Sequence, residues 1–239
     1  MAQVLRLGVL PAGYLSPKAA RAVREVLRKR AHVVRQHTAH VLSVQNIMAR
    51  HTGLRCSVKH IHACTKHDLE GVLPEANQVL AVTSRLALLD CLSPQSKTLE
   101  QAVTTYLQHP PAYEQLVTVD GIGTIVAQTI GLATGAMSRF PTVGNSAAYG
   151  RCVKRTKISN GTRTGQGNVK NGHPSLEWAY TEAAQCASRF NPTGPRLYQR
   201  KHATSHLRVA RKAVAPTRSR ACSDSMRDLV PFEVHTAFG

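Results

Sequence analysis

The first constraint on the fold is a long segment without a helix breaker, which begins after Ser16-Pro17 and ends at Gly53. Ser16 suits the N-cap of a helix and Pro17 its first position. Apolar residues recur along this segment at Val23, Leu27, Val34, Val41, Val44 and Met48. If Arg30 and His37 are counted as members of the same stripe, every step is three or four residues. This heptad-like spacing predicts one helix of about 33 residues, about 50 Å long.

A second helical pattern runs from about Asp68 to Leu92, and Pro74 marks its true start or a kink. A third piece, Lys97–Gln108, follows Ser93-Pro94. The candidates for burial in the second pattern are Leu69, Val72, Val79, Leu86 and Leu89. We therefore predict a long antiparallel helical hairpin over residues 17–108, with the stripe used for core packing or coiled-coil pairing. Residues 1–16 are predicted to be extended or irregular.

The connection between these helices is rich in metal-ligating residue types: Cys56, His60, His62, Cys64 and His67. Their spacing fits no established zinc pattern, so we interpret the segment as a histidine-rich loop and predict no metal site. The six cysteines are dispersed and form no CxxC pair, which indicates reduced thiols in a cytosolic protein.

Charge restricts the partners. The chain has 31 Lys and Arg against 13 Asp and Glu, a net charge of +18 and a pI near 10.3. A net charge this positive favours binding to a polyanion, most simply nucleic acid. An anionic membrane is the competing partner, but the sequence has no long apolar run, no compact basic amphipathic anchor and no secretory signal. On the first helix the cations form either a solvated face or a nucleic-acid contact: Arg21, Arg24, Arg28, Lys29, Arg30 and Arg35.

The double proline Pro110-Pro111 is the predicted boundary to a second unit, residues 109–239. Directly after it, "LVTVDGIGTIVAQTIGLATG" (116–135) resembles a helix-hairpin-helix. Glycine at positions 121 and 123, on either side of Ile122, would let backbone N–H groups approach a phosphate, aided by the dipole of the following helix. The alternative is a tight turn between helices that binds no ligand.

The segment "KISNGTRTGQGNVKNG" (157–172) contains glycines, amides and cations but no acid. It could be a surface loop, a phosphate cradle or the place of chemistry, with Ser159 as the hydroxyl candidate. The predicted nucleic-acid contacts here are Arg155, Lys157, Asn160, Gly161, Arg163, Gln166, Lys170 and Asn171.

Pro174 begins a helix in which Trp178 is the predicted core anchor. A basic helix at 196–220 is predicted to break near Pro216, before a docking or frayed tail.

Four blocks carry a family resemblance: "VDGIGTIVAQTIG", "SRFPTVGNSAAYG", "KISNG" and "GQGNVKNGHPSLEWAYTEAA". Their order and spacing resemble the transposases of the insertion-sequence 110 family, in its 1111-type branch, with a 116/110/902-type C-terminal transposase domain. The implied architecture is mainly α: a coiled-coil-like hairpin followed by a helical transposase domain with the helix-hairpin-helix-like motif.

The resemblance implies a DNA-binding recombinase of a bacterial insertion sequence that cuts and joins DNA under the guidance of a structured RNA. The family's S-x-G motif matches Ser159-Asn160-Gly161, so Ser159 would be the nucleophile. Its Mg²⁺ would be held by four carboxylates of an N-terminal resolvase-like domain. None of the 13 acids here matches that set, so we expect an N-terminally truncated copy that binds no metal itself, with residues 1–16 as a remnant.

The expected partners are therefore DNA at the element ends and target, a structured guide RNA and further copies of the chain, in the bacterial cytoplasm and near the nucleoid. The sequence also departs from the family at Thr162, Thr164 and Pro216. A non-catalytic basic module that binds DNA or RNA is the alternative function. A ribosome-associated protein is less favoured, because the chain has few aromatic residues for base stacking.

Overall fold

The structure is a computed structural model that describes residues 3, 6–8, 14–106, 111–153, 156–167, 171–190 and 194–232. It is mainly α, which confirms the predicted fold class. The helices are α1 (Lys18–Thr52), α2 (Val58–Ala63), α3 (Lys66–Glu70), α4 (Ala76–Tyr106), α5 (Pro111–Val117), α6 (Thr124–Thr134), α7 (Val143–Tyr149), α8 (Pro174–Phe190), α9 (Gly194–Thr204) and α10 (Leu207–Asp228). A 3₁₀ turn spans Met137–Arg139, and the strands are β1 (Thr156–Ser159) and β2 (Thr162–Gln166).

Helices α1 and α4 pack side by side along most of their length. They run antiparallel, since Arg30 bonds to Glu100 while His40, further along α1, contacts Arg85, which is earlier in α4. Five members of the predicted stripe are buried, Val23, Leu27, Val41, Val44 and Met48, and Val34 is half-buried. Helix α1 ends as predicted at Gly53, whose φ of 70° is left-handed and whose N–H donates to the carbonyl of Ala49.

Two details of the second helix differ from the prediction. Val72 is 49% exposed, and Leu73 is buried in its place, because residues 71–75 form a turn and not helix. Helix α4 then continues through Pro94 without a break. The proline removes the donor for the Asp90 carbonyl. Residue 90 is exposed to water, and Leu89 and Val103 on either side are fully buried, so packing of the flanking turns retains the helix.

In the second unit, α10 packs against α5, α7, α8 and α9. Small residues allow these helices to approach closely. The alanines of α8 at 179, 183, 184 and 187 are all buried, as are the core residues Leu116, Val119, Ile130, Leu176 and Tyr180. Leu132 of α6 joins a separate cluster with Val23, Leu27 and Val103, which connects this unit to the long α1–α4 pair.

The predicted helix break near Pro216 is wrong. Helix α10 runs from Leu207 to Asp228 through Pro216, and the break lies upstream at residues 205–206, between α9 and α10. Burial explains the difference, since Val214, Ala215 and Cys222 are held in the core on both sides of the proline. The tail then contacts the residue that follows α5, because the N–H of Phe232 donates to the hydroxyl of Thr118 at 2.9 Å. Residues 233–239 of the predicted tail lie outside the described residues.

Across the described ranges, no helix combines the length and the apolar character that crossing a membrane requires.

Candidate nucleic-acid interface

The segment that contains Ser159 is a β-hairpin. Strands β1 and β2 pair antiparallel, and Asn160 and Gly161 form the two-residue loop with φ of 49° and 75°. Positive φ at both positions defines a type I′ turn, for which Asn-Gly is the most favourable dipeptide. Asn-Gly between extended runs was thus a hairpin signal that the sequence interpretation missed. Ser159 pairs with Thr162 at the last rung before the turn.

The hairpin is bent by a β-bulge in β2. Lys157 pairs with Gly165 and Ile158 with Arg163, so Thr164 is the extra residue. Its hydroxyl donates to the carbonyl of Lys157 at 3.2 Å. A bulge increases the local twist and is often found next to functional sites.

Lys157 and Ser159 share one face of β1, because side chains two residues apart in a strand point the same way. Ile158 and Arg163 belong to the opposite face. All residues from 156 to 164 are exposed, including Ser159. Within the described part of the hairpin there are two cations and no acid, so a phosphate approaching Ser159 meets positive charge. Gln166 and Asn171, also predicted contacts, are exposed at its base, while Arg155 and Lys170 lie outside the described residues.

The neck of the hairpin is fixed where α7 ends and α8 begins. The backbone N–H of His173 donates to the carbonyl of Tyr149 at 2.7 Å. Gly172 has φ of 110°, and a β-carbon there would lie 2.6 Å from the same carbonyl oxygen. The close approach of the two chain segments therefore requires glycine at 172.

The Gly121-Ile122-Gly123 turn joins α5 to α6. Gly121 has φ of 84°, and a β-carbon there would lie 2.5 Å from the carbonyl oxygen of Ala183 in α8. Ile122 is buried in the core, and its N–H donates to the carbonyl of Val119. Of the three predicted phosphate contacts, Gly123 is the exposed one, at the N-cap of α6 with no side-chain cap. Packing against α8 thus accounts for Gly121, while the phosphate role of the turn stays a prediction.

Asp120, next to this turn, interacts electrostatically with Arg218 of α10. The Arg218 side chain is 1% exposed. Burial lowers the pKa of Arg218, and the nearby Asp120 carboxylate opposes that shift. Asp120 therefore balances the charge of Arg218, because a cation that is buried in the core needs a negative partner. Nothing in the sequence pattern singled out Arg218 among the many cations.

Glu177 is the acid on the helix that follows the hairpin. Its carboxylate contacts Lys212 at 2.6 Å and Arg151 at 3.6 Å. It therefore balances two cations beside the neck. Among the residues that the structure describes, no three His, Cys, Asp or Glu side chains are placed to hold a metal ion, and this includes the His/Cys-rich connection. The four-carboxylate magnesium site of the resemblance does not fit these residues.

The cations of α1 divide into paired and unpaired groups. Arg28 and Lys29 both contact Glu25, and Arg30 contacts Glu100 of α4 at 2.6 Å. Arg24 donates to Ser16 and to His173. Within the described ranges Arg21 and Arg35 have no ion-pair partner.

His173 is a residue that the sequence interpretation did not select. Its Nε2 lies 2.8 Å from the guanidinium of Arg24. Since arginine can only donate, Nε2 accepts and the proton is on Nδ1. Burial, followed by the charges of Arg24, Arg28 and Arg151, lowers the pKa of His173 to about 4. The histidine is therefore neutral at pH 7 within a cationic field.

The prediction that Trp178 anchors the core is wrong: its side chain is 42% exposed. Helix α8 buries its alanine face, including Ala179 and Ala183, against α6 and α10. Trp178 is not part of this alanine face, and its side chain stays partly exposed.

Two comparisons bear on this surface. Residues 113–199 match the family model described as "Transposase IS116/IS110/IS902 family". A curated relative, "Insertion element IS110 uncharacterized 43.6 kDa protein" from Streptomyces coelicolor, is 24% identical over 142 residues. That alignment covers 57% of this chain and 35% of the relative, so the chain matches about a third of the relative's length. The family match includes the glycine turn, the whole β-hairpin and α8.

Proposed function

Because residues 113–199 form a transposase domain of the IS116/IS110/IS902 family, we propose that this chain is a DNA recombinase component in which Ser159 is the nucleophile. The observation that carries the proposal is the family match across the hairpin, where Ser159-Asn160-Gly161 supplies the S-x-G motif. The exposed position of Ser159 beside the turn supports it, since a phosphodiester can reach the hydroxyl without any rearrangement of the core.

In the proposed reaction, the Ser159 hydroxyl oxygen attacks a backbone phosphorus and displaces one sugar oxygen. The bond energy is kept in a phosphoserine ester, which a second sugar hydroxyl later attacks to rejoin the DNA. Lys157, on the same strand face as Ser159, would stabilise the charge that develops on the phosphate. Arg163, on the opposite face of the hairpin, would add to the positive field around it. The hairpin has no carboxylate of its own, so another group must take the serine proton.

The family resemblance assigns that task to the metal-binding carboxylates of an N-terminal domain. The described residues offer no such set of carboxylates for magnesium. The proposal is that this chain supplies the serine and the DNA-binding surface, and that a subunit with the acidic domain completes the site. A guide RNA, assembly of several copies and a place at the bacterial nucleoid belong to the same proposal and follow from the resemblance.

Strand exchange by mixed assemblies tests this role. An intact relative with its own serine replaced would supply the acidic domain, and this chain would supply Ser159. We expect Ser159→Ala to abolish the exchange that the unmutated chain restores. Thr156→Ala is the matched control, because Thr156 is an exposed hydroxyl on the same strand, and it should leave exchange unchanged. Equal exchange by Ser159→Ala and the unmutated chain would contradict the nucleophile assignment.

A second candidate, a non-catalytic nucleic-acid-binding module, is favoured by one observation: the described residues hold no metal-ligand set beside a strongly cationic surface. In that case the same mixed assembly would bind DNA but show no Ser159-dependent exchange.

A further inference from the structure

A cavity of about 400 Å³ lies between α1, α6 and the beginning of α8. Its volume is within the range of pockets that hold small organic ligands. The apolar part of its wall comes from α1 and α6 through Leu27, Ala31, Leu132 and Ala133. Neither the glycine turn nor the hairpin strands contribute to it, so it is separate from the site of Ser159.

Three arginines of α1 line the same cavity: Arg24, Arg28 and Arg35. They follow one face of the helix at intervals of four and seven residues. Arg24 is held by Ser16 and His173. Arg28 is paired with Glu25 on the surface, where both side chains are more than half exposed, so the pair is weak and an anion can displace it. Arg35 has no ion-pair partner among the described residues. The cavity is therefore open to an anion at its α1 side.

Trp178, in the first turns of α8, also lines the cavity. It is 42% exposed, although it is the only tryptophan of the chain and could have been buried. His173, which lines the cavity near Arg24, is neutral and adds no positive charge. The cavity thus combines a partly exposed indole, an apolar wall and arginines whose charges are not all neutralised by acidic side chains.

These groups match the two chemical halves of a nucleotide. An indole face and an aliphatic wall accept a base by stacking, and arginines accept its phosphate. A base within a duplex is already stacked on its neighbours, so a base that enters this cavity must be unpaired. An acidic peptide would satisfy the arginines but leave the indole without a planar partner.

We infer that this cavity binds one unpaired nucleotide, with its base against Trp178 and its phosphate on Arg28 and Arg35. The inference rests on the proposed function, because it assigns a specific contact to the nucleic acid that the recombinase would bind. The cavity lies at the foot of the hairpin, since His173 takes part both in the neck and in the lining. An unpaired nucleotide held here would fix the position of the strand that leads to the hairpin.

The tryptophan provides the test, because its fluorescence reports on this cavity alone. The full chain is titrated with oligo(dT), with oligo(U) and with a DNA duplex of equal length. We expect a single-stranded probe to quench Trp178 and the duplex to quench it little. Comparison of oligo(dT) with oligo(U) distinguishes DNA from RNA as the source of the nucleotide.

Variants test the contacts by an independent anisotropy measurement. Trp178→Ala should weaken single-strand affinity about fivefold or more, while Trp178→Phe, which can still stack, should lose less. Arg35→Ala should also weaken it. The matched control is Arg50→Ala, which has the same net charge and lies about 22 Å further along α1. Circular dichroism checks that each variant is folded.

Equal quenching by duplex and single strand, or Trp178→Ala affinity equal to that of the unmutated chain, would overturn the inference. In both cases salt-dependent DNA binding would leave the proposed function standing. Absence of binding to every probe would overturn both.

Discussion

The backbone N–H of His173 donates to the carbonyl oxygen of Tyr149 at 2.7 Å, and this bond closes the neck of the hairpin that presents Ser159. Between the two bonded residues the chain leaves the helical core and returns to it. The geometry at the neck is therefore what connects the exposed serine to a rigid support.

Substitution of Gly172 tests that support. A β-carbon at 172 would meet the Tyr149 carbonyl at 2.6 Å, and φ is 110°. We expect Gly172→Ala to lower the free energy of unfolding by about 1–3 kcal/mol, measured by urea denaturation. Gly161→Ala at the turn is the control. Its φ is 75°, but a β-carbon there meets nothing within 4 Å, so the loss of stability should be near the lower end of that range. Equal small losses for the two variants would contradict the tight neck.

The glycine turn offers a second pair of variants. A β-carbon at 121 would collide with backbone atoms of Ala183 and Ala187 in α8, whereas one at 123 meets nothing within 4 Å. We expect Gly121→Ala to cost about 2 kcal/mol or more of stability, and Gly123→Ala to cost little.

DNA affinity of the same two proteins then tests the predicted phosphate contact. If the turn binds phosphate, Gly123→Ala should weaken binding although the protein is stable. Unchanged affinity for Gly123→Ala would leave the turn as a packing element alone.

His173 predicts a dependence of stability on pH. Its pKa in the folded protein, about 4, is below the ordinary value of 6.5. Between these values the unfolded chain binds a proton that the folded chain does not, so stability rises with pH. The contribution is complete above about pH 6.5 and is lost as the pH falls towards 4.

The measurement is the free energy of unfolding of His173→Gln and the unmutated protein from pH 4 to pH 8. The two curves should run parallel above pH 7, and the unmutated protein should lose more stability on acidification. A His173→Gln curve that falls as steeply below pH 6.5 would contradict the neutral histidine.

Salt should weaken DNA binding steeply. With six or more phosphate contacts, affinity should fall about 10³-fold or more between about 50 and 200 mM salt. Replacement of Lys157 or Arg163 by glutamine should lower the slope of log K against log salt by about one each if each contacts a phosphate. Lys59→Gln, an exposed cation of the distant α2, is the control. A slope that is unchanged in both the Lys157 and the Arg163 variant would place the DNA elsewhere on the surface.

Helical periodicity predicted the long helices well, because the apolar residues that define it, such as Leu27, Val41 and Met48, are the ones that α1 buries on one side. Local breakers were less reliable. Pro94 and Pro216 both lie inside helices, since tertiary packing on either side exceeds the loss of one hydrogen bond. Asn160-Gly161 was interpreted as loop chemistry although it forms a hairpin turn, because the flanking strands have no apolar alternation.

Contacts across the fold explain the remaining differences. The exposure of Trp178 depends on which face of α8 its neighbours cover, which composition does not reveal. Gly121 has a left-handed φ, as a turn predicts, yet its collision partner, Ala183, is 62 positions further along the chain. Likewise, the cations of the sequence look alike, and only the fold distinguishes buried Arg218 from exposed Arg35.

The proposed role of Ser159 requires a covalent bond between this residue and DNA. Mixed assemblies with a subunit that supplies the acidic domain can be denatured during reaction and digested with trypsin, which releases the peptide from Ile158 to Arg163. Mass spectrometry should find this peptide with a nucleotide linked at Ser159, and Ser159→Ala should remove the adduct. Strand exchange with the nucleotide attached to Thr162 or to another residue, or with no covalent adduct at all, would contradict the role of Ser159 as nucleophile.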